Sequence, residues 1–219
     1  GAAWNVKLMP IKILQASGIG ASSTVALGVE YASSNGATIL NMSFGSFAQS
    51  QTLKAALENA YATSILVAAA GNSGGCIGPP TPPCIGPYFP AAYNYVLGVE
   101  ANTASSAGQG FSNFDHDGQT FTQWPELWNY EITAPGTAIM SAIPNGGYTT
   151  LSGTSMAAPL VAGALALYKE EKPNESKELM FGNIINSGQA LQFSISSLFD
   201  LHAAIEVVPV PDVKILTAE

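Results

Sequence analysis

The sequence predicts an α/β domain, a mostly parallel sheet flanked by helices. Strand-like and helix-like segments alternate along the chain, the pattern of a sheet whose crossovers are helical. Residues 65–70 form a continuous apolar run, as a parallel strand covered on both faces does. Residues 155–172 carry the longest helical pattern.

Residues 6–14 read as an apolar strand, with Pro10 marking an edge or a bend. Ser22 and Ser23 are placed to cap a helix running to Asn35, and Gly36 to end it. Residues 38–43 read as a strand. Ser50 caps the next helix, where Leu53, Ala56, Leu57, Ala60 and Tyr61 form one apolar face. Residues 65–70 and 96–101 read as further strands. Residues 108–129 turn to Gly, Asn, Asp and aromatics and read as long surface loops. In residues 155–172, Leu160, Ala164, Leu167 and Tyr168 share a face, and Pro159 is expected in the first turn, where a missing N–H costs little. Residues 175–186 and 197–205 read as later helices. Prolines keep residues 207–212 extended, as an added strand or the start of a linker. The domain is therefore expected over 1–206, with 207–219 as a tail and no internal repeat.

With 219 residues the chain is long enough for one domain with a substantial core. Apolar residues at 47% against 10% charged exclude a disordered, charge-rich chain. Seven basic residues, none of them Arg, face 15 acidic ones, a formal charge of −8. Lacking a basic footprint, the chain is expected to bind neither nucleic acid nor an anionic membrane. No apolar run reaches transmembrane length. The first residues hold neither an initiator Met nor a charged segment followed by an apolar one, which reads as a mature or trimmed form. Cys76 and Cys84 bound a Pro-rich loop with no His and no further Cys to complete a zinc site. A disulfide closing that loop, at ~2.5 kcal/mol of loop-closure entropy, is the preferred reading, with two free thiols the alternative. The disulfide would imply an oxidising compartment, secreted or periplasmic.

Two constellations could carry chemistry. Ser155, in Leu151-Ser-Gly-Thr-Ser155-Met-Ala-Ala-Pro159, stands at a loop-to-helix junction. Ser there is commonly a cap. A hydroxyl at a helix N-terminus also lies where backbone N–H groups and the dipole stabilise negative charge. Asn72, in Ala68-Ala-Ala-Gly71-Asn72, follows the buried strand at its carboxyl end, where ligands of open parallel sheets bind. It reads either as a turn residue or as an amide donor to a developing oxyanion.

These stretches, taken together, resemble the subtilisin-like serine proteases. Gly153-Thr-Ser155-Met-Ala-Ala-Pro-Leu-Val-Ala-Gly163 is similar to their nucleophile motif, and Ala69-Ala-Gly71-Asn72 to their oxyanion-Asn motif. Ile39-Leu-Asn-Met-Ser43-Phe-Gly45 resembles their substrate-binding strand, and Ala134-Pro-Gly136 with Ile139-Met-Ser-Ala-Ile143 resembles the stretch before the nucleophile. The resemblance runs from Gly1 to about Glu206; Leu160 departs from it where many relatives carry a His that is not catalytic. It implies that Ser155 attacks the scissile carbonyl of a peptide or protein substrate, with Asn72 and the Ser155 N–H holding the oxyanion. Ser43, Phe44 and Gly45 would pair with extended substrate. Ala69, Ala70 and Gly71 would line the pocket for the residue before the cut. Carbonyls near Ala91, Tyr93 and Val96 fall where relatives can hold a weak calcium or sodium ion; no other cofactor is implied.

The family's Asp and His motifs, expected before the Ser, do not occur here, and the chain resembles a catalytic domain entered just after the His helix. The absent part would include sheet strands and the family's tighter calcium site. Without a base a serine is a weak nucleophile. His116, within Asp115-His116-Asp117, reads as a solvated loop residue, and His202 as a helix-surface or partly packed one. Asp200 and His202 follow Ser155 in α/β-hydrolase order, but two positions apart on a helix they point in different directions. Three states are thus expected to compete: a protease portion completed by a complementary N-terminal polypeptide carrying Asp and His, a peptide-binding remnant, and a self-associating fragment.

Overall fold

In a computed structural model, residues 2–3, 5–75, 86–102, 110–114, 130, 132–186, 189–190, 197–198 and 214–216 are described. The order is β1 (Lys7–Leu8), α1 (Ser22–Ser34), β2 (Ile39–Met42), α2 (Gln51–Tyr61), β3 (Ile65–Ala69), β4 (Val96–Asn102), β5 (Ile132–Pro135), β6 (Ile139–Ala142), β7 (Tyr148–Leu151), α3 (Thr154–Glu171), α4 (Lys177–Asn186), β8 (Gln189–Ala190), β9 (Ser197–Leu198) and β10 (Lys214–Leu216). The main sheet runs β1-β10-β2-β3-β4-β5-β9-β8. All its neighbours are parallel except β8 and β9. β6 and β7 form a separate antiparallel pair. The predicted α/β class stands.

Strand alternation divides the core. Leu40, Met42, Leu66, Ala68 and Val96 pack with α1 and α2 on one face. Ile39, Ile65, Val67, Leu97, Val99 and Ile132 pack with α3 on the other. Residues that alternate between two apolar faces make each central strand apolar throughout, which is why residues 65–70 read as one continuous run. On α2 the expected cap is present: Ser50 Oγ accepts the Leu53 N–H at 3.3 Å. Ala56, Leu57 and Ala60 are buried on the face the spacing predicts.

Several expectations are corrected. The first strand pairs only at Lys7 and Leu8; Pro10 has no N–H to give a ladder, and residues 9–14 run irregularly. Ser22 and Ser23 lie inside α1, whose N-cap is Ala21 without a side-chain bond. Residues 197–198 are a strand, not the start of a helix. Residues 214–216 form a strand, one of the two readings of the tail, whose other residues lie outside those described. Ser112 and Asn113, read as surface loop, are buried.

The largest correction concerns α3. The helix is buried all round through residues 161–166, Ala164 of the predicted face included, and Ala157 and Ala158 are buried too, while Leu160, Leu167 and Tyr168 are only half-buried. The helix crosses the middle of a parallel sheet, and small side chains let it approach closely; the larger residues lie at the margin. Leu165→Ala is expected to cost roughly 2–5 kcal/mol in urea unfolding, and Leu160→Ala under about 1.5 kcal/mol.

Candidate active site

Parallel strands bring their carboxyl ends to one edge of the sheet. Ser43, Phe44 and Gly45 leave β2 there, and Ala70, Gly71 and Asn72 leave β3. The N-terminus of α3 points at the same edge. The structure therefore brings Ser155, Asn72 and the Ser43–Gly45 segment together, although the segment and the serine are more than a hundred residues apart.

The N-cap of α3 is Gly153, which has no side chain to satisfy the first N–H groups. Asn72 supplies the cap instead. Its Oδ1 accepts from the Thr154 N–H at 2.9 Å and from the Thr154 hydroxyl at 3.0 Å. The Thr154 hydroxyl in turn accepts the Gly71 N–H at 3.1 Å. With Oδ1 committed to Thr154, the carboxamide has its donor end left over, and Asn72 is solvent-exposed. Gly153 has φ +156, and a Cβ there would stand 3.2 Å from Asn72 Nδ2, so a side chain would crowd the amide. Helix geometry leaves the Ser155 N–H without an intrahelical acceptor. Two N–H donors are thus available at the start of the helix that carries the Ser155 hydroxyl, donors of the type that stabilise an oxyanion.

Asn113 fixes the turn that carries Asn72. Its Nδ2 donates to the Ala70 carbonyl at 2.8 Å, its Oδ1 accepts the Ser73 N–H at 2.8 Å, and its backbone N–H donates to the Gly71 carbonyl at 2.9 Å. Gly71 has φ +100, and a Cβ on it would collide with Asn113 Nδ2 and Tyr88. Sequence reasoning missed Asn113, Thr154 and Tyr88. Thr154 had a signal, a hydroxyl at the first helical position; Asn113 and Tyr88 had none, since their contacts are made across the fold. Burial pushes the Tyr88 phenol up from its ordinary value.

Ser155 and Ser43 bond reciprocally. Ser155 Oγ donates to the Ser43 carbonyl at 3.2 Å, and Ser43 Oγ donates to the Ser155 carbonyl at 2.9 Å. The second bond is available because of Pro159, which lies in the second turn of α3 rather than the first. The residue four after Ser155 would normally donate to its carbonyl, and proline has no N–H to do so. Asn41 Nδ2 donates to Ser43 Oγ at 3.0 Å and completes the chain of bonds.

Beside Phe44 and Gly45 lies a cavity of about 300 Å³, walled by Leu14, Ile19, Leu53, Phe89 and Tyr93 among others. Ala69 and Ala70 are buried at the root of the Asn72 turn. Ala91, Tyr93 and Val96 are also buried. The Tyr93 carbonyl accepts the Val96 N–H at 2.9 Å. Among the described residues no group of His, Cys, Asp or Glu could hold a metal ion. A backbone carbonyl that accepts one hydrogen bond keeps a second lone pair, so the donor chemistry near Ala91, Tyr93 and Val96 suits a weak cation. Cys76, Cys84, Asp115, His116, Asp117, Asp200 and His202 lie outside the described residues, so the disulfide and both histidines have no structural account.

A hydroxyl at a helix N-terminus, an amide after a buried strand and the segment after β2 thus meet at one edge of the sheet. The family model described as "Subtilase family" matches residues 1–199, and the chain belongs to that family. It is 37% identical over 210 residues to "Alkaline elastase YaB" of Bacillus sp. (strain YaB), covering 93% of this chain and 50% of that protein. It is 40% identical over 177 residues to "Subtilisin DY" of Bacillus licheniformis, covering 80% of this chain and 58% of that protein. The chain therefore spans about half the length of the curated relatives it matches. Among solved structures, a cold adapted subtilisin-like serine proteinase superposes with TM-score 0.74 at 30% identity, over 91% of this chain and 70% of that one. A protease of Pseudoalteromonas arctica PAMC 21717 gives TM-score 0.77 at 26% identity, over 93% of this chain and 63% of that one.

Ser43→Ala strands the Ser155 carbonyl and Asn41 Nδ2, and is expected to cost roughly 1–3 kcal/mol in urea unfolding. In a Pro159→Ala background the helix N–H returns to the Ser155 carbonyl. There the same change is expected to cost at least ~0.5 kcal/mol less, read from a double-mutant cycle.

Proposed function

We propose that this chain is the Ser-bearing portion of a secreted or periplasmic serine endopeptidase of the subtilisin type. Ser155 is the nucleophile of an acyl-enzyme, and Asn72 Nδ2 with the Ser155 N–H holds the oxyanion. A complementary polypeptide outside this sequence supplies the Asp and the His. Ser43, Phe44 and Gly45 pair with the extended backbone of a peptide substrate, and Ala69, Ala70 and Gly71 flank the residue before the cut. The apolar cavity beside Phe44 favours an apolar side chain further along the same substrate. The observation that carries the reading is the Asn72 cap on α3: one residue anchors the helix of Ser155 through its Oδ1 and keeps its amide N–H groups for another acceptor.

In this reading the hydroxyl proton passes to the His of the complementary piece as Oγ attacks. The oxygen of the scissile carbonyl takes the negative charge between the two N–H donors. No helix among the described residues is long and apolar enough to cross a membrane.

A second reading, self-association without catalysis, is favoured by one observation. The β6–β7 pair exposes Met140, Tyr148 and Leu151.

The deciding measurement is intact mass of every polypeptide in the natively purified particle, followed by a peptidase assay. The expected result is a second polypeptide bearing Asp and His motifs, with hydrolysis only in the complex. Ser155→Ala should then remove activity by several powers of ten. Asn72→Ala should lower kcat by roughly 10²–10³-fold. A single species of this chain's mass, without turnover, would leave the self-associating reading.

A further inference from the structure

Two asparagines of the sequence stand directly before a glycine, Asn35 and Asn145. That order matters chemically. The backbone nitrogen of the next residue lies within reach of the asparagine Cγ, and a glycine puts no Cβ in the way of the approach. Both asparagines are exposed, so exposure does not separate them. Their hydrogen bonds do.

Asn35 is the C-cap of α1. Its Nδ2 donates to the Tyr31 carbonyl at 2.8 Å, and its backbone N–H donates to the same carbonyl at 3.0 Å. The Gly36 N–H donates to the Ser33 carbonyl at 3.1 Å, and the Ala37 N–H to the Ala32 carbonyl at 3.0 Å. Carboxamide and nitrogen are each tied to the last turn of the helix. They are free to react only when that end of the helix opens.

Asn145 stands at the tip of the β6–β7 hairpin with φ +67, followed by Gly146 with φ +88. Every residue from 141 to 150 is exposed. The Ile143 N–H closes the turn on the Gly147 carbonyl at 3.2 Å. Among the described residues, neither the Asn145 carboxamide nor the Gly146 N–H has a hydrogen-bond partner. A Cβ on Gly146 would meet nothing within 4 Å, so the approach to the nitrogen is open.

A third asparagine needs the same scrutiny. Asn72 is exposed and followed by the small Ser73. Its Oδ1 is committed to Thr154, and the Ser73 N–H donates to Asn113 Oδ1 at 2.8 Å. The nitrogen that would attack Asn72 is therefore occupied.

We propose that Asn145 is a self-modification site: the Gly146 backbone nitrogen attacks Asn145 Cγ and converts the residue to aspartate and isoaspartate, while Asn35 and Asn72 persist. The nitrogen gives up its proton and bonds to Cγ. The Cγ–Nδ2 bond breaks, ammonia leaves with that proton, and a cyclic imide remains. Water then adds to either imide carbonyl and opens the ring. Opening on one side gives aspartate. Opening on the other gives isoaspartate, whose extra backbone carbon lies between Ile143 and Gly147. Either product places a new negative charge on the hairpin turn. The sequence of steps consumes only water and holds whether or not Ser155 is a nucleophile.

The test incubates the full chain at mildly alkaline pH, folded and in urea. The peptides carrying Asn35, Asn72 and Asn145 are followed by digestion and mass spectrometry, with the two product isomers separated by chromatography. In the folded chain Asn145 is expected to convert at least about tenfold faster than Asn35, the margin that opening a hydrogen-bonded helix end imposes. In urea the two Asn-Gly sites should convert at similar rates, because both dipeptides are then equally free. A ratio of Asn145 to Asn35 conversion no greater in the folded chain than in urea would overturn the proposal. So would a folded chain in which Asn145 stays intact, or in which Asn72 converts first.

Discussion

The site depends on a single cap. α3 begins on a glycine, and its first N–H is met by an asparagine on the far side of a sheet strand, 82 residues earlier. The same bond fixes three things: where α3 starts, how the Asn72 carboxamide is turned, and how the loop after β3 is held against the helix. Asn113 braces that loop from beneath with bonds to Ala70, Gly71 and Ser73. A helix capped by its own residue would keep its geometry if the sheet shifted. Here the helix and the strand cannot move apart without breaking the Thr154 bonds, so the site's geometry is tied to the integrity of the parallel sheet.

A proline reinforces the arrangement. Pro159 interrupts the regular helical bonding, and the carbonyl it frees is taken by Ser43. The helix thereby trades an internal bond for one to the segment that follows β2. Ser155, Ser43 and Asn41 form a continuous polar line through an otherwise apolar layer, each satisfying the next until Asn41 Oδ1.

Much of this was legible in the sequence, for a definable reason. Strand and helix periodicity is local, so β2, α2, β3 and β4 could be read within a residue or two. The residues of the site carry local signatures too: a Gly-Thr-Ser before a helix, and an Ala-Gly-Asn after a buried run. What depends on contact across the fold was not legible. Asn113 looked like a loop residue because its partners lie 40 residues away. The expected face of α3 was right only at Ala164, because a helix laid across the middle of a parallel sheet is buried all round there and leaves Leu160, Leu167 and Tyr168 at the margin. Residues 6–14 are apolar enough for a strand, but strand formation needs a partner, and only Lys7 and Leu8 find one.

The alanine row of α3 also limits how this protein could be engineered. Ala157, Ala158, Ala162 and Ala166 fill the gap between helix and sheet with almost no accessible surface. Enlarging any of them would lift the helix and carry Ser155 away from Asn72. Cavity filling, the usual route to a hardier protein, is therefore closed in this layer. Gains in robustness would have to come from the α1–α2 side, where exposed Leu27 and Tyr31 can be replaced without moving the hydroxyl.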